Sequence, residues 1–204
     1  MAFLPCYSYD SGGLGNTMIK DAKGIKSKYV TALFKLCESK SLKKITVGDL
    51  LQETGTARQT FYNHFRDIND FIVQVPILFF EQNYRLFYSP DGSKDVFRYV
   101  IEHKNFFSQL PYHNGQNCFR DSYLRWIKKS YYQVALEGIP YGAEYLRRKS
   151  LVDVYLYGVT DLFLEWCKSG MEWPPEVLIS VIYDTKPDFI SNEVSLDFKV
   201  AALD

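Results

Sequence analysis

The sequence holds few residues that could staple or anchor a fold. Its four cysteines, Cys6, Cys37, Cys118 and Cys167, stand far apart and form no CxxC pair. That spacing argues against a zinc site and gives no disulfide framework. Cys37 and Cys167 fall on apolar helix faces, so buried free thiols in a reducing cytosol are expected. No run of about eighteen apolar residues occurs, so no membrane span is expected. The first residues lack a basic start followed by an apolar stretch, so no signal peptide is expected and the location reads as cytoplasmic. The three histidines, His64, His103 and His113, show neither ligand spacing nor an HExxH, and there is no GxSxG. Gly12-Gly13-Leu14-Gly15 is only an echo of a phosphate loop, with no strand before it. No catalytic residue, metal or cofactor is therefore expected, and the chain does not read as an enzyme.

Net charge is also absent, at +0, which alone argues against a nucleic-acid partner. The distribution argues the other way. Up to Asp70 there are ten Lys and Arg against seven Asp and Glu; from Phe71 on there are fourteen against seventeen. The first part is the one suited to phosphate. What is abundant is apolar: 47% of the 204 residues are hydrophobic, with sixteen Tyr and fifteen Phe. A sizeable core in one or two small domains needs no staples.

The stretch Ile45 to Phe71 organises the chain. Thr46 can cap a helix in a capping box with Asp49, and Ile45 and Leu50 can form its hydrophobic staple. Leu50 and Leu51 supply the buried face. Gly55 sits where a helix end needs a left-handed residue. Thr56 starts a second helix, with Gln59 completing a second box. Phe61 and Phe65 lie one turn apart and point inward, leaving Arg58, Thr60, Tyr62, Asn63 and His64 outside. Asp67 can cap a further helix from Ile68 or Asn69. Two short helices about a turn with Gly make a helix-turn-helix. Arg58 suits a guanine edge; Tyr62 and His64 suit phosphate. A plain helical hairpin with a solvated face would share the same caps and aromatic pair.

GTARQTFYNHFRDINDF resembles the recognition-helix signature of the tetracycline-repressor (TetR) family. The family's run is Gly, any, Ser, Arg, Gly, Thr, aromatic or Leu, Tyr, any, His, Phe; Gly55, Arg58, Thr60, Phe61, Tyr62, His64 and Phe65 occupy those places. The likeness spans Ile25 to Phe71 and weakens beyond. There are departures. Gly48 stands where the family often has a DNA-touching Arg, Ile68 where a Lys meets phosphate, Ala57 for a common Ser and Gln59 for a common Gly. They bear on affinity and operator sequence rather than fold. The resemblance implies DNA contacts from Thr46, Thr56, Ala57, Arg58, Gln59, Thr60, Tyr62, Asn63 and His64.

The remaining chain reads as helices. Residues 1–19 look like a loose leader, and Met18 would make a natural start. A first helix is expected over Lys20 to Ser39, with Ile25, Tyr29, Leu33, Leu36 and Cys37 inward. Lys20, Lys23, Lys26 and Lys28 at its start form either a solvated face or a contact with flanking phosphates. Pro76 should divide the apolar run after Phe71 into two short helices. Ser89-Pro90-Asp91-Gly92 signals a turn. Helices follow at about Lys94 to Leu110, with Val96, Val100, Ile101 and Phe107 inward, and at Cys118 to Leu136, parted by a loop with Pro111 and Gly115. Others are expected at Tyr141 to Lys168 and Pro174 to Tyr183. YLYGVTDLFLEWCKSGMEWPPEVLISVIY resembles the last two helices of TetR-type ligand domains. The tail from Asp184 has no clear period, though Asp197, Phe198 and Val200 could dock.

The expectation is an all-α protein in two parts: an N-terminal three-helix helix-turn-helix domain over residues 20–71, and a helical effector-binding and dimerisation domain over 72–204. As the resemblance implies, it would be a repressor that binds palindromic double-stranded operator DNA as a homodimer and responds to a small apolar or aromatic effector. A rival is a TetR-fold activator or adaptor that works through a protein partner. Expected pocket residues are Tyr84, Phe87, Val100, Phe107, Tyr123, Trp126 and Tyr155, each of which could equally be ordinary core. Expected interface residues are Tyr157, Asp161, Phe163, Leu164 and Lys168 on the long helix and Val177, Leu178, Val181 and Ile182 on the last, unless the tail covers that face.

Overall fold

The fold is that of a computed structural model, described over residues 24–113 and 118–190. The leader, Lys20, Lys23, Cys6, Gly115 and the tail residues Asp197, Phe198 and Val200 lie outside these residues. Among the described residues every regular element is helical: α1 Ile25–Cys37, α2 Val47–Thr54, α3 Arg58–Tyr62, α4 Ile68–Asn83, α5 Pro90–Glu102, α6 Lys104–Phe107, α7 Phe119–Leu136, α8 Ala143–Lys168 and α9 Pro175–Asp184.

The caps of the first hairpin form as their residues dictate. Thr46 Oγ1 accepts from the Asp49 backbone N–H at 3.2 Å, and the Thr46 N–H donates back to Asp49 Oδ2 at 2.7 Å. Ile45 and Leu50, the staple pair, are both buried, and Leu51 is half-buried. Gly55 takes φ 65°, the left-handed conformation that closes α2. Tyr29, Phe61, Phe65 and Phe71 then meet as edge-on and tilted rings, 4.7–6.2 Å apart, and lock α1, α3 and α4 together. Each such pair adds about 0.5–1.5 kcal/mol beyond area burial.

Four sequence expectations are corrected. The second capping box does not form: Ala57 is the N-cap of α3, and the Thr56 hydroxyl instead meets Tyr29 Oη at 2.7 Å and Thr54 Oγ1 at 2.8 Å. Pro76 does not divide the chain; α4 runs through it. The Pro costs about 3 kcal/mol, but Ile72, Val73, Val75, Ile77 and Phe79 are all buried around it, each contributing about 1.5–3 kcal/mol. Ser89-Pro90 is a helix start rather than a turn: Ser89 Oγ accepts from the Gly92 N–H at 3.1 Å and Pro90 takes the first helical position. The helix expected to Leu110 breaks at His103 into α5 and α6, and Ile101 faces outward while Phe97 and Tyr99 are buried.

Two layers result. The hairpin packs on α1, and α1 rests on α6. Phe34 of α1 stacks on His103 at 4.1 Å and touches Phe106 at 5.3 Å. The Leu42 N–H donates to Gln109 Oε1 across the same seam at 2.7 Å. Behind it α7 pairs with α8 and α5 with α9. Cys37 and Cys167 are free and buried, as expected, and burial pushes the Cys37 thiol up to about 12.

Candidate DNA interface and effector pocket

The outer face of the hairpin presents the side chains expected to meet DNA. Arg58, Gln59, Tyr62, Asn63 and His64 are all exposed. Within that face Arg58 and Tyr62, one turn apart, pair: Nη2 donates to Tyr62 Oη at 3.3 Å, with the guanidinium 5.5 Å from the ring centre. Gln59 donates to Asn63 Oδ1 at 2.9 Å. Ala57 and Thr46 are exposed and Thr60 is half-buried. Thr56 differs from expectation, since its hydroxyl turns inward to Tyr29 at 2.7 Å instead of facing outward. Of the lysines at the start of α1, Lys28 is exposed, and Lys26 lies 6.0 Å from the Phe65 ring centre. Lys40 holds Asp49 at 2.6 Å and, with Thr46, lowers its carboxyl to about 2. Lys43 and Lys44 extend the basic edge of the hairpin.

A cavity of about 140 Å³ opens in the second layer, between the end of α4, the turn Tyr84–Tyr88, α5, α7, α8 and α9. Tyr84, Phe87, Tyr123, Trp126 and Tyr155, five of the residues expected at an effector pocket, are among its lining. Val100 and Phe107 do not; both are fully buried elsewhere in the core. Phe80 anchors the floor, with Tyr123 at 5.6 Å and Phe163 at 5.8 Å. Two phenols brace the walls. Tyr183 Oη donates to the Phe87 carbonyl at 2.8 Å, and Tyr155 Oη donates to the Ile182 carbonyl at 3.2 Å. Burial pushes the Tyr131 phenol up to about 12 and the Tyr123 phenol higher still, so both stay neutral.

Residues 89–185, from the cap of α5 to just beyond α9, match the family described as the TetR-type transcriptional regulator C-terminal region. The match supports a TetR-family regulator. No curated protein matches it. The matched region takes in α5, α7, α8 and α9 around the cavity, and the helical hairpin of α2 and α3 precedes it.

Sequence reasoning missed several cavity residues of the regulator: Phe80, Phe97, Thr160 and Lys186 among them. Phe80 and Phe97 carry the ordinary helical spacing of core, so no local signal separates them. Lys186 follows the end of α9, in a stretch without period. On the side of α8 away from the cavity, Leu146, Leu151, Val154 and Tyr157 are exposed; Val177 of α9 is exposed as well. Phe163, Leu164 and Leu178 were expected on that face, but each is buried in the core of the chain itself. Val181 and Ile182 are half-buried, and Ile182 lines the cavity. Asp161 is held by Arg120 through Nε at 2.5 Å and Nη2 at 2.8 Å, and the Lys128 ammonium sits 3.9 Å over the Tyr157 ring. Lys168 is exposed near Glu165. Among the described residues no helix is long and apolar enough to cross a membrane.

Proposed function

We propose that this regulator is a repressor that reads palindromic double-stranded DNA as a homodimer and responds to a small aromatic or apolar effector. Residues 20–71 would be its DNA-binding part and 72–204 its effector and dimer part. The observation that carries the reading is the outward row Arg58, Gln59, Tyr62 and Asn63 on the second helix of a helix-turn-helix in a TetR-family chain. Arg58 reads a base edge once it swings off Tyr62; Thr60, Tyr62 and His64 set the helix on phosphate. One such domain reads one half-site, so two copies are needed for a palindrome. The aromatic cavity supports the effector part of the reading, since small-molecule sites form between helices and are lined mostly by apolar side chains.

Selection from a random duplex pool, followed by gel shift in rising salt, tests this. The expected result is specific binding whose affinity falls linearly with salt on logarithmic axes. Absence of any specific duplex would favour the second reading, an activator or adaptor working through a protein partner. Gly48 is what favours that reading: it leaves the exposed start of α2 without a side chain where the family often has an Arg.

A further inference from the structure

Thr160, on α8, carries a hydroxyl that the fold leaves unused. It is 2% exposed and lines the cavity, yet its oxygen has no hydrogen-bond partner among the described residues. A helical Thr ordinarily turns its hydroxyl back to a carbonyl one turn earlier. Thr54 does so to the Leu50 carbonyl at 2.7 Å, and Thr185 to that of Val181 at 2.6 Å. Thr160 does not. A buried hydroxyl left without a partner is destabilising, and a ligand group that met it would remove that cost. Two neighbouring phenols are already committed elsewhere. Tyr155 donates to the Ile182 carbonyl and Tyr183 to the Phe87 carbonyl, with Ser93 Oγ 3.0 Å from Tyr183 Oη.

The walls favour an uncharged guest. No Asp, Glu, His or Arg is among the described lining residues, and Lys186, the Lys among them, already interacts within the chain. An ion entering here would give up its hydration with no open counter-charge to replace it. Burial raises the phenols of Tyr123 and Tyr131 in the same walls, which shows the same bias against charge.

Size narrows the class further. An apolar cavity of about 150 Å³ accommodates one benzene ring, and this one measures about 140 Å³. Phe80 meets Tyr123 edge-on at 5.6 Å and Phe163 edge-on at 5.8 Å, an arrangement that extends to one further ring.

Resting on the effector reading above, we infer that the effector is an uncharged monocyclic phenol. Its ring packs against Phe80, Tyr123 and Phe163, and its hydroxyl bonds to Thr160 Oγ1. A ligand hydroxyl both donates and accepts, so it meets the Thr160 hydroxyl in either sense.

Calorimetric titration of the full chain at neutral pH tests this with phenol, toluene, benzoate, benzylammonium and 2-naphthol. Phenol and toluene differ by one polar group at nearly equal size. Phenol is expected to bind roughly tenfold tighter than toluene, the scale of one buried hydrogen bond. The two ions and the two-ring naphthol should bind more weakly than phenol by at least the same factor. Thr160→Val, matched in shape, should bring phenol down to the level of toluene and leave toluene unchanged. Its melting temperature should not fall, because the hydroxyl it lacks makes no contact in the folded chain. Equal binding of toluene, of either ion or of 2-naphthol to the wild type overturns the inference while the effector pocket stands. A phenol advantage that survives Thr160→Val also overturns it, as does a lowered melting temperature, which would assign the hydroxyl to the fold. If no probe binds, the inference and the pocket reading fall together.

Discussion

Arg58 lies over the Tyr62 ring in the free protein, one turn from its partner on the exposed face of α3. Removing it costs the hairpin little, because exposed pairs of this kind contribute on the order of 0.5 kcal/mol. The loss should appear in DNA binding instead. Arg58→Ala is expected to weaken the selected operator by about 1–3 kcal/mol and relax preference at one base pair, while the melting temperature holds. Gel shifts over single-base operator variants check it; an equal loss on every sequence would assign Arg58 to the backbone.

His103 carries a different kind of prediction. Burial against Phe34 and Tyr99 lowers it from its ordinary 6.5 to about 4, so the folded protein prefers it neutral. As pH falls below about 6.5 the unfolded chain takes up the proton first. Stability is therefore complete above that pH and is lost down to about pH 4, by up to about 3 kcal/mol. Urea unfolding across this range should show a loss in the wild type that His103→Phe, which keeps a ring on Phe34, reduces. Equal pH dependence in both proteins would refute it.

The outward residues of α3 were legible because they follow from one local period. Thr56 was misread because its hydroxyl answers to Tyr29, 27 residues away. Phe163 and Leu164 were misread for a related reason: a wide apolar stripe does not say which side the rest of the chain will cover.

At the scale of elements, local rules succeeded where one strong partner set the outcome and failed where burial outweighed them. The Thr46–Asp49 box and Gly55 settle α2 within ten residues. Pro76 has the local signature of a break, yet the apolar residues on both sides are buried together and carry the helix through. Ser89-Pro90-Asp91-Gly92 suits a turn or a helix start equally; the aromatic face of α5, with Phe97 and Tyr99 buried, favours the start. Gly92 has a further reason to be Gly. A Cβ there would lie 2.3 Å from the Leu86 carbonyl oxygen, which is backbone and cannot swing aside. Leu86 belongs to the turn Tyr84–Tyr88, and Tyr84, Phe87 and Tyr88 of that turn line the cavity. Gly92→Ala should therefore push the turn outward, destabilising the fold by about 1–3 kcal/mol and loosening any ligand the cavity holds. Denaturant unfolding and ligand titration together check this; an unchanged midpoint would mean the turn yields freely.

For the whole molecule the open question is what covers the outer side of α8 and α9. Leu151, Val154 and Tyr157 recur at three-residue spacing with Leu146 a turn earlier, all exposed, and Val154 is 72% exposed, with Val177 of α9 half exposed. A patch of this kind is a liability on a monomer. Two-fold pairing of α8 and α9 from two chains, the commonest symmetry, would cover it as a four-helix bundle and would supply the second hairpin that the proposed palindrome reading requires. The Arg120–Asp161 pair beside Tyr157 would then mark the polar rim. Leu178 is no test of this surface, since it is fully buried and a charge there would unfold the chain. Val154→Glu is the informative change. It sits on the exposed face, so the fold should survive and the circular dichroism should not change. Light scattering at micromolar concentration is expected to give a dimer mass for the wild type and a monomer mass for Val154→Glu. A variant that stays dimeric would place the interface elsewhere on the molecule, and a wild type that is monomeric would leave the patch to another partner.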